Sequence, residues 1–267
     1  MSEKELQQFI VQVAGEAGEY LRNHFYTFKN VIDHDSGARL TNSDVELAGI
    51  IRKRITRVYP DHRVIIVGDH MDASAAEYTW IVDPLEGSNH FLRNIPMYTF
   101  NIALQKNGET IAAAVGIPQT NQLLYAFKGT GAYLNGLRTY VSGETDVAKA
   151  YVFVELPESK FRNQPNNGHG FDTRFAVVKS LAQNVGQLEI LRVGSFGLCL
   201  VAAGSFDAYV DLSGSSQALS QQAALLIVRE AGGEIVELEK PQNGFTSIMV
   251  ANKILSESLG GIINSRK

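Results

Sequence analysis

The sequence predicts an α+β fold. Three observations point to it. Two amphipathic helical patterns open the chain, a meander of short apolar strands follows, and the second half mixes helices and strands without a doubly wound βαβ rhythm. The 267 residues, 45% hydrophobic and 19% charged, suffice for one large core.

Leu6, Phe9, Ile10, Val13, Ala17, Tyr20 and Leu21 recur at three- and four-residue steps, which predicts a helix over 3–25. A polar stretch from His34 to Leu40 follows. Thr41-Asn42-Ser43-Asp44 has the spacing of a capping box, and Val45, Ala48, Ile51, Ile55 and Val58 form the stripe of a second helix that stops at Tyr59-Pro60. Residues 63–67 and 79–82 read as strands, and 99–106 and 110–117 flank the hairpin turn Asn107-Gly108. Residues 122–127 continue the strands, and GTGAYLNG reads as turns. Strands are expected at 150–156, 188–192, 206–211, 234–238 and 247–251, and over the whole chain the strands are expected to be largely antiparallel. Helices are expected at 172–183, 195–204, 219–231 and 253–264, and a Gly/Pro/Asn-rich flexible loop at 157–171.

The formal net charge of -4 argues against a nucleic-acid partner. Arg52-Lys53-Arg54 and Arg57 read as a solvated helix face. Cys199, the one cysteine, sits among apolar neighbours as a buried structural thiol, which fits a reducing, cytoplasmic location. MSEKELQQF lacks the pattern of a signal peptide, and no apolar run reaches the length of a membrane span, so no membrane partner is expected.

WIVDPLEGSNHF, residues 80–91, ends an apolar strand on two acids three positions apart. Asp69 likewise follows a strand, and Asp44 lies in the first turn of a helix. Unpaired buried carboxylates cost several kcal/mol, so such acids ask for a cation. Hard oxygen donors suit Mg²⁺, and the Gly-Ser step offers backbone N–H groups to an anion. Asp-Pro and Glu-Gly are also ordinary turn formers. Spacing alone leaves both readings open.

The run WIVDPLEGSNHFLRNIPMYTFNIAL resembles the inositol monophosphatase and fructose-1,6-bisphosphatase superfamily. LTNSDVELAGIIRKRI, VGDH, RVGSFGLCLVAAGSFDAYVD, ALLIVREAGGEIVE and MVANKILSESL are similar to further family segments, in the same order, over roughly residues 5–260. YVDLSGS is similar to archaeal members. The resemblance implies a five-layer α-β-α-β-α sandwich in one unit over 1–267, with subdomains of approximately 1–148 and 149–267, and a homodimer. It implies Mg²⁺-dependent hydrolysis of a small phosphorylated polyol or sugar, with Mn²⁺ as a substitute cation. It also implies roles. Asp69, Asp83, the Leu85 carbonyl and Glu86 would hold metal. Asp44 and Ser88 would activate water. Gly87 and Ser88 would bind phosphate, and Gly194, Ser195 and Asp211 would line the sugar side.

The sequence departs from the family pattern at the metal. Asp69 stands where the family has glutamate, Glu86 where it has aspartate, and Ser220 where it has an aspartate ligand. Ser220 keeps an N-cap but loses a charge. His70 and His90 sit beside the acids; each reads as a solvated or capping residue, or as a ligand better suited to a transition metal. Two functions therefore stand: a metal-dependent phosphomonoesterase, or a catalytically weakened homologue acting as a dimeric binding or regulatory protein.

Overall fold

A computed structural model describes residues 3–33, 39–69, 76–156, 171–214, 216–242 and 245–264. In chain order the first half runs α1 (Glu3–His24), β1 (Val31–Asp33), β2 (Arg39–Thr41), α2 (Asn42–Val58), β3 (Arg63–Ile66), β4 (Tyr78–Glu86), α3 (Ser88–Leu92), β5 (Thr99–Lys106), β6 (Glu109–Ile117), β7 (Gln122–Phe127), β8 (Gly131–Leu134) and β9 (Leu137–Thr139). The second half runs β10 (Tyr151–Glu155), α4 (Phe171–Asn184), β11 (Gln187–Ile190), α5 (Ser195–Ala202), β12 (Ala208–Asp211), β13 (Ser216–Gln217), α6 (Gln222–Glu230), β14 (Glu234–Gln242), β15 (Phe245–Ala251) and α7 (Lys253–Asn264).

Strands β3 to β9 form a seven-stranded sheet in sequence order, and β10 to β15 form a second sheet in the order β11-β10-β12-β15, with β13 and β14 also on β15. Side-chain alternation sorts the layers. Trp80, Val82, Phe100, Ile102 and Leu104 point to α1 and α2. Ile81, Ala103, Ala113 and Val115 point the other way, onto α5, α6 and the inner residues Phe153, Tyr209 and Val250 of the second sheet. Val152, Val154, Val210 and Met249 on its far face meet α4 and α7. The result is the α-β-α-β-α sandwich.

The local signals hold at α1 and at the capping box of α2. Asn107 and Gly108 both take positive φ, 50° and 81°, as a two-residue hairpin turn requires. The expectation of largely antiparallel strands holds, with β3–β4, β10–β11 and β10–β12 as the parallel pairs among the described residues. Three expectations change. GTGAYLNG, residues 129–136, contains β8, which pairs in a short hairpin with β9 just beyond it. On α2 the buried row is Leu47, Ile51 and Ile55, while Val45 and Val58 are exposed. Tertiary docking of Ser43 and Asp44 turns the helix away from the predicted stripe. Finally, α6 begins at Gln222, so Leu219–Gln221 precede it as turn. The expected loop at 157–171 lies outside the described residues but for Phe171, which opens α4.

Candidate active site

The site forms where α2, β4 and α3 meet. Thr41 donates to Asp44 Oδ2 through its backbone N–H at 2.7 Å and its hydroxyl at 2.5 Å, so the capping box aims the carboxylate inward. Asp44 is only 4% exposed. Ser88 Oγ lies 2.8 Å from Asp44 Oδ1 and 2.9 Å from the Leu85 carbonyl oxygen, so its one proton chooses between two acceptors. Burial pushes the Asp44 pKa up, while the hydrogen bonds from Thr41 and Ser88 oppose that.

Gly87 makes the turn possible. Its φ is 92°, and a Cβ there would meet the Met97 carbonyl at 2.9 Å. The turn carries the chain from β4 into α3, and the Gly87 carbonyl accepts from the His90 and Phe91 amides.

Asp83 and Glu86 share a face because β4 bulges. Residues three apart on a regular strand point to opposite faces. Asp83 pairs with Asn101 and Glu86 with Thr99, so three residues on β4 span two on β5. The extra residue returns Glu86 to the Asp83 side, toward α5 and α6, while Leu85 packs against α1 and α2. Pro84 sits in the irregular stretch, where it costs no ladder hydrogen bond.

Asp83 is buried, receives a hydrogen bond from the Ser220 hydroxyl, and is reached by the Leu85 amide at 3.3 Å. Burial first, then the charges of Glu86 and Asp44, push its pKa far up. Glu86 reaches further. Its Oε2 accepts from Asn101 Nδ2 at 3.0 Å, the Ser195 amide at 3.0 Å and Thr99 Oγ1 at 3.4 Å. Burial raises Glu86 as well, against those donors. Glu86 is therefore engaged with the first amide of α5.

The remaining candidates are distributed around this core. Asp69 follows β3 beside the end of β4, but its side chain is 48% exposed and pairs with Arg52 of α2. His70 lies outside the described residues. His90 is in α3; burial and the charges of Arg93 and Arg192 lower its pKa, which favours the neutral imidazole. Ser195 and Asp211 are each 0% exposed, and Gly194 lies flat against Glu86. The sequence reading missed Glu155, Asn101 and Thr99. Glu155 ends β10 as Asp83 ends the straight part of β4, so the same rule of acids at strand ends could have found it.

Among the described residues, no ion pair reaches Asp44, Asp83 or Glu86. Three carboxylates packed together in this way fit a cation. Among the described residues, however, no group of three His, Cys, Asp or Glu side chains converges to hold a metal by itself. Asp83 and the Leu85 carbonyl suit one hard cation whose other ligands are phosphate and water, the usual pattern for Mg²⁺. A second cation fits poorly: Ser220 is neutral and Glu86 is taken up by α5. No described helix is long and apolar enough to cross a membrane.

Known proteins agree with this architecture. The family model described as "Inositol monophosphatase family" matches residues 2–266. A fructose-1,6-bisphosphatase/inositol-1-monophosphatase of Aquifex aeolicus is 29% identical over 252 residues, 93% of this chain and 90% of that one. A Nus factor SuhB of Pasteurella multocida is 29% identical over 227 residues, 84% of this chain and 82% of its own. Among solved structures, the IMPase of Thermotoga maritima superposes with a TM-score of 0.83 at 22% identity, covering 98% of both chains. With the sandwich and the Asp44–Ser88 and Asp83 geometry in place, the match over nearly the whole length is decisive: the chain belongs to the inositol monophosphatase family, a family of phosphatases.

Proposed function

We propose that this phosphatase hydrolyses the phosphomonoester of a small polyol or sugar, of the inositol monophosphate or fructose-1,6-bisphosphate class. The observation that carries the reading is the Ser88–Asp44 hydrogen bond of 2.8 Å beside Asp83. Ser88 Oγ can accept a proton from water while its own proton passes to Asp44 Oδ1. The water oxygen then bonds to phosphorus, the ester P–O bond breaks, and the leaving alkoxide takes a proton from solvent. The Gly87–Ser88 turn is the proposed phosphate cradle, and Gly194, Ser195 and Asp211 border the sugar side. Mg²⁺, or Mn²⁺ in its place, would be held by Asp83 and the Leu85 carbonyl, with Asp69 reaching it only after leaving Arg52. When bound it would neutralise phosphate charge and polarise the water.

The test is phosphate release from inositol phosphates and fructose bisphosphate across Mg²⁺ and Mn²⁺ concentrations. Turnover above an Asp83→Asn control is expected. A rate equal to that control would leave the second reading, a weakened homologue acting as a dimeric binding or regulatory protein. The engagement of Glu86 and the neutral Ser220 favour that alternative, and one similar protein is named as a Nus factor.

A further inference from the structure

Glu155 and Asp211 are register partners on the adjacent parallel strands β10 and β12. Both face the layer of α5 and α6, on the same side as Phe153 and Tyr209. Glu155 is 2% exposed and Asp211 0%. Two carboxyl groups side by side in such a place are not good packing residues, and nothing in the hydrolysis described above uses Glu155.

Glu155 has a definite task in the geometry. Its Oε1 accepts the Val193 amide at 2.9 Å and also the Gly194 amide. The next amide, Ser195, goes to Glu86 at 3.0 Å. Three consecutive N–H groups at the entry of α5 are thus held by two acids from different sheets. Gly194 sits between them with φ 47° and ψ -120°. A Cβ on Gly194 would overlap Glu86 Oε1, so the backbone there is held tightly against that carboxyl group. The Asp211 carboxyl group is engaged locally at the end of β12, where its Oδ1 accepts the Ser213 amide at 2.7 Å.

We propose that Glu155 is a positioning residue, which acts through the Val193 and Gly194 amides to fix the α5 entry as the substrate-side wall of the site. The proposal rests on the phosphatase reading for its kinetic consequence, but not for its structural one. A substrate touching the wall meets Gly194 and Ser195, never Glu155. Loss of the buried acceptor leaves two amides unsatisfied and lets the segment 193–195 shift.

The experiment compares the full-length parent with Glu155→Gln, Glu155→Asp and Glu155→Leu. Gln keeps an acceptor oxygen at the same reach; Asp withdraws it by one methylene; Leu removes it. Amide hydrogen exchange at 193–195 is read first. Parent-like protection in Gln and faster exchange in Asp and Leu are expected. Phosphate release from inositol 1-phosphate is read second. KM is expected to rise about tenfold in Asp and Leu with kcat within about threefold, and to stay at the parent value in Gln. Unchanged exchange at 193–195 in both Asp and Leu overturns the proposal, as does a fall in kcat at constant KM. A Leu variant that fails to fold leaves Asp and Gln to decide. If the parent releases no phosphate, the phosphatase reading fails, and the exchange data alone uphold or overturn the positioning role.

Discussion

Ser88 and Asp44, 44 positions apart in sequence, are joined by a hydrogen bond of 2.8 Å from the serine hydroxyl to the aspartate Oδ1. The bond ties the start of α3 to the start of α2, and it binds the proposed phosphate turn to the proposed proton acceptor. Ser88→Ala and Asp44→Asn are each expected to lower kcat by roughly 10²- to 10⁴-fold with KM little changed. The Asp44→Asn side chain keeps an acceptor for the Thr41 amide, so the thermal stability of that variant should match the parent or exceed it. Steady-state kinetics and a melt followed by circular dichroism check both statements. A kcat within about threefold of the parent would remove Asp44 from the chemistry.

Ser220 donates a hydrogen bond to Asp83 and brings no charge. Ser220→Asp places a fresh carboxylate beside Asp83, Glu86 and Asp44. Without a divalent cation the variant should melt below the parent, because like charges in a buried cluster repel. With Mg²⁺ or Mn²⁺ the order should reverse, since binding to the native state stabilises it. Calorimetric titration of Mn²⁺ should show affinity at least about tenfold tighter, because carboxylate count sets affinity at such sites. Equal Mn²⁺ affinity in the two proteins would sink the placement of Ser220 at a cation position.

Gly194 and Glu86 are in mutual contact, and a Cβ on residue 194 would overlap Glu86 Oε1. The backbone there also has positive φ. Gly194→Ala should therefore destabilise by about 1–3 kcal/mol. Part of that cost comes from pushing the Glu86 carboxyl group off the Ser195 amide. In a Glu86→Ala background the same change should cost less, leaving mainly the backbone strain. A denaturant double-mutant cycle measures the difference. Strict additivity would show that Glu86 does not lean on Gly194.

Much of this was legible in the sequence where the cause is local. The capping box at Thr41–Asp44 and the Asn107-Gly108 turn were readable because each is settled within four residues. The stripe of α2 was not: Asp44 is drawn inward by Ser88, a contact no helical spacing reports. Asp83 and Glu86 were visible as a pair of acids, yet their common face depends on a bulge against β5, which only the register reveals. GTGAYLNG concealed β8 because that strand is so short that its flanking glycines and asparagine dominate the pattern. Glu155 and Asp211 became partners through a parallel pairing of strands far apart in sequence, and parallel pairs leave no turn between them to read.

Burial first, and then the neighbouring charge of Asp211, push Glu155 up to about 7, against the amides of Val193 and Gly194. A carboxyl group raised in the folded state holds its proton where the unfolded chain has lost it. Its contribution to stability is then complete below the unfolded value of 4.5 and is lost as pH rises to about 7. Glu155→Gln cannot titrate. The parent should lose stability relative to this variant across that window, at no more than about 1.4 kcal/mol per pH unit. Urea melts at about pH 4.5, 6 and 8 check this; a constant difference between the two proteins would contradict it.

Trp80 donates its indole N–H to His62 Nδ1 at 3.0 Å, which fixes His62 as the neutral tautomer protonated at Nε2. The imidazole is stacked on Tyr59 at 4.6 Å and on Tyr78 at 4.7 Å. Protonation of Nδ1 would turn the acceptor into a donor and break the bond. Burial lowers the His62 pKa, and the charges of Asp61 and Glu77 only partly restore it. Here the sign is opposite to that of Glu155. Above pH 6.5 both states are neutral and nothing changes. As pH falls below 6.5 the unfolded chain takes a proton first, so stability declines, and the loss is complete below the folded pKa. Trp80 is the one tryptophan of the chain, so the emission reports the surroundings of this indole. The emission should shift with a midpoint below pH 6.5, while a His62→Gln variant, which keeps an acceptor for the indole, should show no such transition. A midpoint above 6.5 in the parent, or the same transition in the variant, would place the titrating group elsewhere.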